Sequence, residues 1–387
     1  MKILGDQQIP LLQELFGEIG HVDTYHGREI TQEQLADVDV LIARSTVAVD
    51  ESLLAHSQVK FVGTCTIGTD HMDTGYLDQQ GIAWTNAAGC NADAVVQYVL
   101  SAMAMLAPHW RQSRVGIIAC GNIGSRVYRR LTSLGVQCCC YDPLISPSLS
   151  HASQADIHST DFVSLDTVLD CDIITSHAPL THDGPYPSLH MLGSNELAMI
   201  RPDSLLISAG RGAVIDNQAL LAHMREGKTF KLALDVWENE PDILTDLLPY
   251  TDIATPHIAG HSLEGKERGT YMVYQSLCNY LGIPEHISAK QHLNTERSLL
   301  IDHLQASHHQ RPEGDEYDTF NQWLLAMYPI MLDNQRLRSW QPQSMPMPEY
   351  FDHLRRHYPV RREYTHFILP DGASSSPLGQ WMAALTR

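Results

Sequence analysis

"RVGIIACGNIGSRVYRRLTSLGVQCCCYD", residues 114–142, decides how this 387-residue chain folds. A short apolar run ends in a glycine-bearing turn, an Arg-flanked amphipathic segment follows, and a second apolar run closes on Asp142. That is the order of a strand, a helix and a parallel strand, with the helix opening on the glycines. In a GxGxxG turn the backbone amides at the helix start approach a pyrophosphate, whose charge the helix dipole favours. Here Ala119 stands in place of the first glycine, while Gly121 and Gly124 remain, with Asn122 and Ile123 between them. If the first position requires a positive φ, alanine costs about 1 kcal/mol there. Asp142, about 20 residues on, is placed to accept hydrogen bonds from both ribose hydroxyls and to repel a 2′-phosphate, which favours NAD over NADP.

The same alternation extends in both directions. Upstream, the apolar runs "KILG" (2–5), "VDVLIARST" (38–46), "VKFVGTCT" (59–66) and "IAWTNA" (82–87) alternate with helix-like "PLLQELFGEIG", "ESLLAHS" and "GYLDQQG". From Asn91 a longer helical pattern, "NADAVVQYVLSAMAMLA", reads as a bridge between domains. Downstream come "VLDCDIITSHAPL" (168–180), "SLLISAGRGAVID" (204–216), "FKLALDVWENEP" (230–241) and "YTDIATPHIAG" (250–260), each an apolar run ending in small or polar residues. Buried parallel strands read this way, so the expected class is α/β with a doubly wound nucleotide domain. Residues 144–164, rich in Ser and His, are expected as a surface loop or edge element. Beyond the polar stretch "HHQRPEGDEYD" (308–318) the alternation stops, and a tail rich in aromatics and arginine reads as a third, smaller domain.

A formal charge of −19 argues against nucleic acid or an anionic membrane surface as partner, so an anionic ligand needs a local positive site. No run is long and apolar enough to span a bilayer, and "MKILGDQQIP" turns polar too early for a signal peptide, which makes the cytoplasm the expected location. The eight cysteines, three of them consecutive at Cys138, Cys139 and Cys140, form no CxxC pair, and the 21 histidines show no HExxH spacing. No metal is expected.

Three polar side chains occupy equivalent places in the downstream series. Arg211 follows "LLISAG", Glu240 follows "LALDVW" and His257 follows "DIAT". Ligands of such sheets bind outside the carboxyl ends of the strands, so the three converge on one crevice. A guanidinium on a turn between two glycines presents two parallel donors to a substrate carboxylate. His257 is suited to take the proton of a substrate hydroxyl, with Glu240 fixing its tautomer and favouring the imidazolium. Asp235, on the strand that leads to Glu240, is expected to accept from the nicotinamide carboxamide.

With these residues in place, "GNIG", "SAGRGAVID", "LDVWENEP" and "TPHIAGHS", in that order, give residues 1–285 a resemblance to the D-isomer-specific 2-hydroxyacid dehydrogenases. The resemblance implies a flavodoxin-like substrate domain (1–92 and 258–285) hinged on a Rossmann NAD domain (93–257). The stretches "VKFVGTCTIGTDHMD", "GCNADAVVQYV", "HAPLTHDGPYPSLHML" and "YFDHLRRHYPVRREY" are similar to one branch of that family. That branch carries an extra C-terminal α+β dimerisation domain, here 286–387, and the similarity implies a homodimer acting on a small phosphorylated 2-hydroxyacid. Carried over by position, Arg211 and Glu240 fall on active-site residues and His257 on the proton donor. Asp142, Ala178, Ala209, Gly210, Asp235 and Gly260 fall on NAD contacts, and Ser45, Thr66 and His261 on substrate contacts. Ala178 replaces a usual threonine, and His261 a usual tyrosine. For the substrate phosphate, Arg44 in "LIARST" is the first candidate and the arginines of "HLRRHYPVRREY" the second, against their lying on a solvated helical face. Two other readings stand beside this one: a dehydrogenase for another D-2-hydroxyacid such as 3-phosphoglycerate, and a non-catalytic NAD(H)-responsive regulator on the same fold.

Overall fold

The computed structural model describes residues 1–145, 157–227, 229–288, 298–299, 316–368 and 377–386. The chain divides into two compact units, one of Met1–Asn91 with His261–Glu296, the other of Ala92–Gly260 with Arg297–Arg387.

The first unit is built on five parallel strands, β1 (Lys2–Asp6), β2 (His21–Tyr25), β3 (Val40–Ala43), β4 (Phe61–Thr64) and β5 (Ala83–Asn86), in the order β2-β1-β3-β4-β5. This is the flavodoxin-like order. β3 and β4 are buried along their whole length, as central strands covered on both faces must be. The helix Leu263–Leu281 returns to this sheet, where Val273, Tyr274 and Leu277 share a core with Ile3, Phe16 and Phe61. Gly63 makes room for it, since a Cβ there would lie 2.3 Å from Val273.

The second unit carries six parallel strands, β6 (Arg114–Ile118), β7 (Gln137–Tyr141), β8 (Ile173–Ser176), β9 (Leu205–Ser208), β10 (Lys231–Leu234) and β11 (Ile253–Ala254), ordered β11-β10-β9-β8-β6-β7. Phe162, within the expected loop or edge element, forms a parallel bridge with Cys140 of the edge strand β7; 146–156 of that stretch lie outside the described residues. The predicted bridging helix is Ala92–Leu106, buried over nearly all its length.

The C-terminal residues form helices at Glu316–Met327, Ile330–Arg338, Met347–Arg356 and Pro377–Thr386, the first two packed on Ala92–Leu106, and a short parallel pair, β12 (Ser298–Leu299) with β13 (Phe367–Ile368). Trp110 Nε1 donates to Asn321 Oδ1 at 2.9 Å inside a shared apolar core with Tyr98, Phe320 and Tyr328. On the far edge of the sheet, Ala254 N donates to Asn334 Oδ1 at 2.9 Å, which satisfies an amide that an open edge strand would leave unpaired. All eight cysteines are free, six of them buried. Among the described residues no helix is long and apolar enough to cross a membrane.

Candidate active site

The glycine turn after β6 has the form a dinucleotide requires. Ala119 sits at φ +66°, the left-handed conformation that glycine adopts without strain. A Cβ on Gly124 would stand 1.9 Å from the Ala119 carbonyl oxygen, so only glycine lets the helix Gly124–Ser133 start this close to the strand. A Cβ on Gly121 would meet nothing within 4 Å, and Gly121 and Asn122 are exposed at the mouth of the turn. The turn is thereby open where a pyrophosphate would lie and closed where the helix packs. Asp142 follows β7 directly. Its carboxylate accepts from Cys120 N at 2.8 Å and from Leu144 N at 3.1 Å, which aims it at the turn and leaves acceptor capacity for ribose hydroxyls. These residues fit NAD.

Arg211 lies past the end of β9, and the close approach of two neighbouring loops accounts for its two glycines. A Cβ on Gly210 would stand 2.7 Å from the Ala178 carbonyl oxygen, and one on Gly212 would stand 1.9 Å from the Trp237 carbonyl carbon and oxygen. The loops after β8 and β10 thus clamp the backbone on either side of Arg211. Its Nη1 donates to the Gly210 carbonyl at 3.0 Å, and the side chain is half-buried. Ala209 is buried one residue before this clamp.

Glu240 and His257 come together as predicted from their positions after β10 and β11. His257 Nδ1 lies 2.6 Å from Glu240 Oε2, while Glu240 Oε1 accepts from Trp237 N at 2.7 Å. Burial pushes the Glu240 carboxyl up, but His257 and the Trp237 amide outweigh it and hold it below the usual carboxylate range. An ionised Glu240 accepts the Nδ1 proton, which leaves Nε2 as the ring nitrogen for a substrate.

The turn that bears His257 is itself constrained, since His257 adopts φ +55°, unusual for a residue with a side chain. Asp235 holds it there. His257 N donates to the Asp235 carbonyl at 2.7 Å, Ile258 N to Oδ1 and Ala259 N to Oδ2, each at 2.8 Å, and the Thr255 hydroxyl to Oδ1 at 2.6 Å. Burial pushes the Asp235 carboxyl up against the pull of His257 and of these donors. Asp235, expected from the sequence to accept from the nicotinamide carboxamide, braces the turn that bears His257 with both carboxylate oxygens. Trp237, which the sequence reading did not single out, ties the β10 and β11 loops together by donating from Nε1 to the Thr255 carbonyl at 2.9 Å. The bulky ring inside "DVWENEP" was the available signal.

The expected substrate contacts belong to the first unit. Arg44 and Ser45 directly follow β3, and Thr66 follows β4 by one residue; Ser45 is exposed. Thr66 Oγ1 is 2.8 Å from Thr64 Oγ1, and His261 opens the returning segment. The Arg44 guanidinium reaches inward, to Gln8 Oε1 at 2.5 Å and to within 3.8 Å of the fully buried Asp6 carboxylate, so part of its charge is already offset. Gly260 ends the first segment of the second unit.

His190, Asp216 and Glu238 bring ligand atoms within 4.8 Å of one another. These atoms are engaged in the fold: Glu238 takes His190 Nε2 at 2.7 Å and Asn217 N at 3.2 Å, and Asp216 caps the helix Asn217–Arg225.

Residues 91–259 match the family profile described as D-isomer specific 2-hydroxyacid dehydrogenase, NAD binding domain, and residues 304–385 match a domain of unknown function (DUF3410). The erythronate-4-phosphate dehydrogenase of Cellvibrio japonicus is 42% identical over 389 residues, covering 100% of this chain and 99% of that one. The enzyme of the same name from Teredinibacter turnerae is 43% identical over 371 residues, with 95% of each chain covered. Among solved structures, D-lactate dehydrogenase from Aquifex aeolicus, complexed with NAD and lactic acid, superposes with a TM-score of 0.59 at 21% identity, covering 73% of this chain and 96% of that one. NAD-bound 3-phosphoglycerate dehydrogenase from Entamoeba histolytica gives 0.60 at 21%, over 76% and 99%. These last two establish the shared fold.

Proposed function

Because the chain belongs to the D-isomer-specific 2-hydroxyacid dehydrogenases, within the erythronate-4-phosphate dehydrogenases, we propose that it oxidises 4-phospho-D-erythronate at C2 to 2-oxo-3-hydroxy-4-phosphobutanoate. The observation that carries this reading is the 2.6 Å pairing of His257 with an ionised Glu240 beside a glycine-clamped arginine. NAD, when bound, supplies the acceptor for the C2 hydride. Arg211 holds the substrate carboxylate through two parallel donors, which fixes C2 relative to His257. His257 Nε2 takes the C2 hydroxyl proton while Glu240, on Nδ1, stabilises the resulting imidazolium. In the reverse direction the same nitrogen returns the proton. Asp142 aligns the ribose and disfavours a 2′-phosphate.

Ser45, Thr66 and His261 are assigned to the substrate, with Arg44 or a tail arginine for its phosphate. The C-terminal segment, 286–387, read from the sequence as a domain of its own, is assigned to dimerisation. A light-scattering mass of twice the chain mass supports the homodimer, and a single-chain mass contradicts it. Such an enzyme acts in the cytoplasm, in pyridoxine 5′-phosphate biosynthesis.

The test is NAD reduction by the purified protein given 4-phospho-D-erythronate, 3-phosphoglycerate or D-lactate, with a carbonyl trap to draw off the oxo product. Preferential turnover of the four-carbon phosphate is expected, with losses on the order of 100-fold or more in His257→Ala and Arg211→Ala. Preference for 3-phosphoglycerate would transfer the assignment to that substrate. NADH binding without turnover of any of the three would point to the regulator.

A further inference from the structure

The tail sequence "VRREY" was read as a source of phosphate-binding or solvated cations, yet Arg361 is 6% exposed. Its guanidinium lies 4.3 Å from the centre of the Tyr328 ring. Nη2 donates to two backbone carbonyls of the nucleotide-binding unit, Ala259 and, at 3.3 Å, Ala94 in the first turn of the helix Ala92–Leu106. The next residue is anchored to the same helix, where the buried Gln97 donates from Nε2 to the Arg362 carbonyl at 3.0 Å. Tyr328 is fixed in turn, because its hydroxyl and that of Tyr358 both donate to the buried Asp333 Oδ2, at 2.8 and 2.6 Å.

Ala259 belongs to the turn that presents His257. Asp235 grips that turn by its amides, at Ile258 and Ala259, and Arg361 grips it by a carbonyl. A turn containing a histidine at positive φ needs such over-determination to persist. A buried cation is held by acceptors, and here they are main-chain oxygens of the turn that bears His257, at Ala259, and of the helix Ala92–Leu106, at Ala94. We infer that Arg361 is a positioning residue for His257: through the Ala259 carbonyl, the C-terminal segment sets the aim of the proton-transferring imidazole. This rests on His257 carrying the proton, as proposed above, but the contact itself is independent of which hydroxyacid is turned over.

The experiment compares the full-length wild type with Arg361→Met, Arg361→Lys and the control Asn321→Ala. The control removes the Trp110 partner from the same packed region, away from the turn. Amide hydrogen exchange of the peptide spanning 255–260 is read without substrate, and the pH profile of turnover with the hydroxyacid that the wild type accepts. Arg361→Met is expected to speed exchange in that peptide by about tenfold and to lower kcat by about 10- to 100-fold, with KM for NAD changed less than about threefold. Arg361→Lys, which keeps the charge but not the fork, falls between; it also serves if the methionine variant does not fold. Asn321→Ala is expected to lower Tm without moving exchange of the turn or the pH profile. Unchanged exchange in both Arg361 variants, or an equal rise in Asn321→Ala, would overturn the inference. Wild type inactive on every hydroxyacid, with exchange still raised in Arg361→Met, would instead count against the assigned reaction.

Discussion

Ala119 occupies a left-handed position where the nucleotide turn ordinarily carries glycine. The residue was legible as a departure from GxGxxG, and its consequence depended on a φ that only the structure supplies. Ala119→Gly removes the Cβ from that conformation and is expected to stabilise the protein by about 1 kcal/mol, less the entropy that glycine adds to the unfolded chain. Calorimetry is expected to show Tm raised by about 2 °C; a lowered Tm would show that the methyl group contributes packing that outweighs the strain. His257 has the opposite balance. Its positive φ is held by the Asp235 carbonyl and carboxylate, so the strain is part of how the imidazole is aimed. Nothing in "TPHIAG" announces that conformation, because the atoms that impose it come from Asp235, more than twenty residues earlier in sequence.

Among the elements, strands buried on both faces were readable as apolar runs, as were the edge strands β5, β7 and β11, while the edge strand β2 was not. β3, β4, β8 and β9 are buried throughout and stand out in the sequence. β2, "HVDTY", is an edge strand with only Tyr25 buried, so its composition resembles a loop. The helices of the tail escaped for another reason, since their apolar residues face Ala92–Leu106 and the β11 edge rather than a strand-helix unit of their own. The two glycines of the nucleotide turn divide the work of packing and binding. Gly124→Ala is expected to destabilise the fold, because its Cβ would meet the main chain at 1.9 Å. Gly121→Ala meets nothing and is expected to fold with unchanged Tm while weakening NADH about tenfold or more, read by fluorescence titration. Unchanged NADH affinity in Gly121→Ala would remove the pyrophosphate from that turn.

At the scale of the whole molecule, a chain of charge −19 offers an anionic cofactor the open backbone of the glycine turn, and the proposed substrate carboxylate one clamped guanidinium, rather than a basic surface. The order of motifs disclosed the doubly wound unit and the three residues proposed as catalytic. It did not disclose that the C-terminal residues pack onto the same unit, because Trp110 with Asn321 and Gln97 with Arg362 join positions more than 200 residues apart. Sequence periodicity is local, and these contacts are not. The proposed reaction turns on the proton carried between His257 and the substrate oxygen, under the charge of Glu240. Its most direct test is the pH profile of reductive turnover, with NADH and the 2-oxoacid, in the wild type and in Glu240→Gln. Reduction requires a protonated His257, so the rate falls as pH rises. A Glu240 carboxyl held below the usual range is ionised throughout, and its charge favours the imidazolium. Glu240→Gln is therefore predicted to move the falling limb to lower pH, and an unmoved limb would contradict the assignment of the Glu240 and His257 pair as the proton carrier.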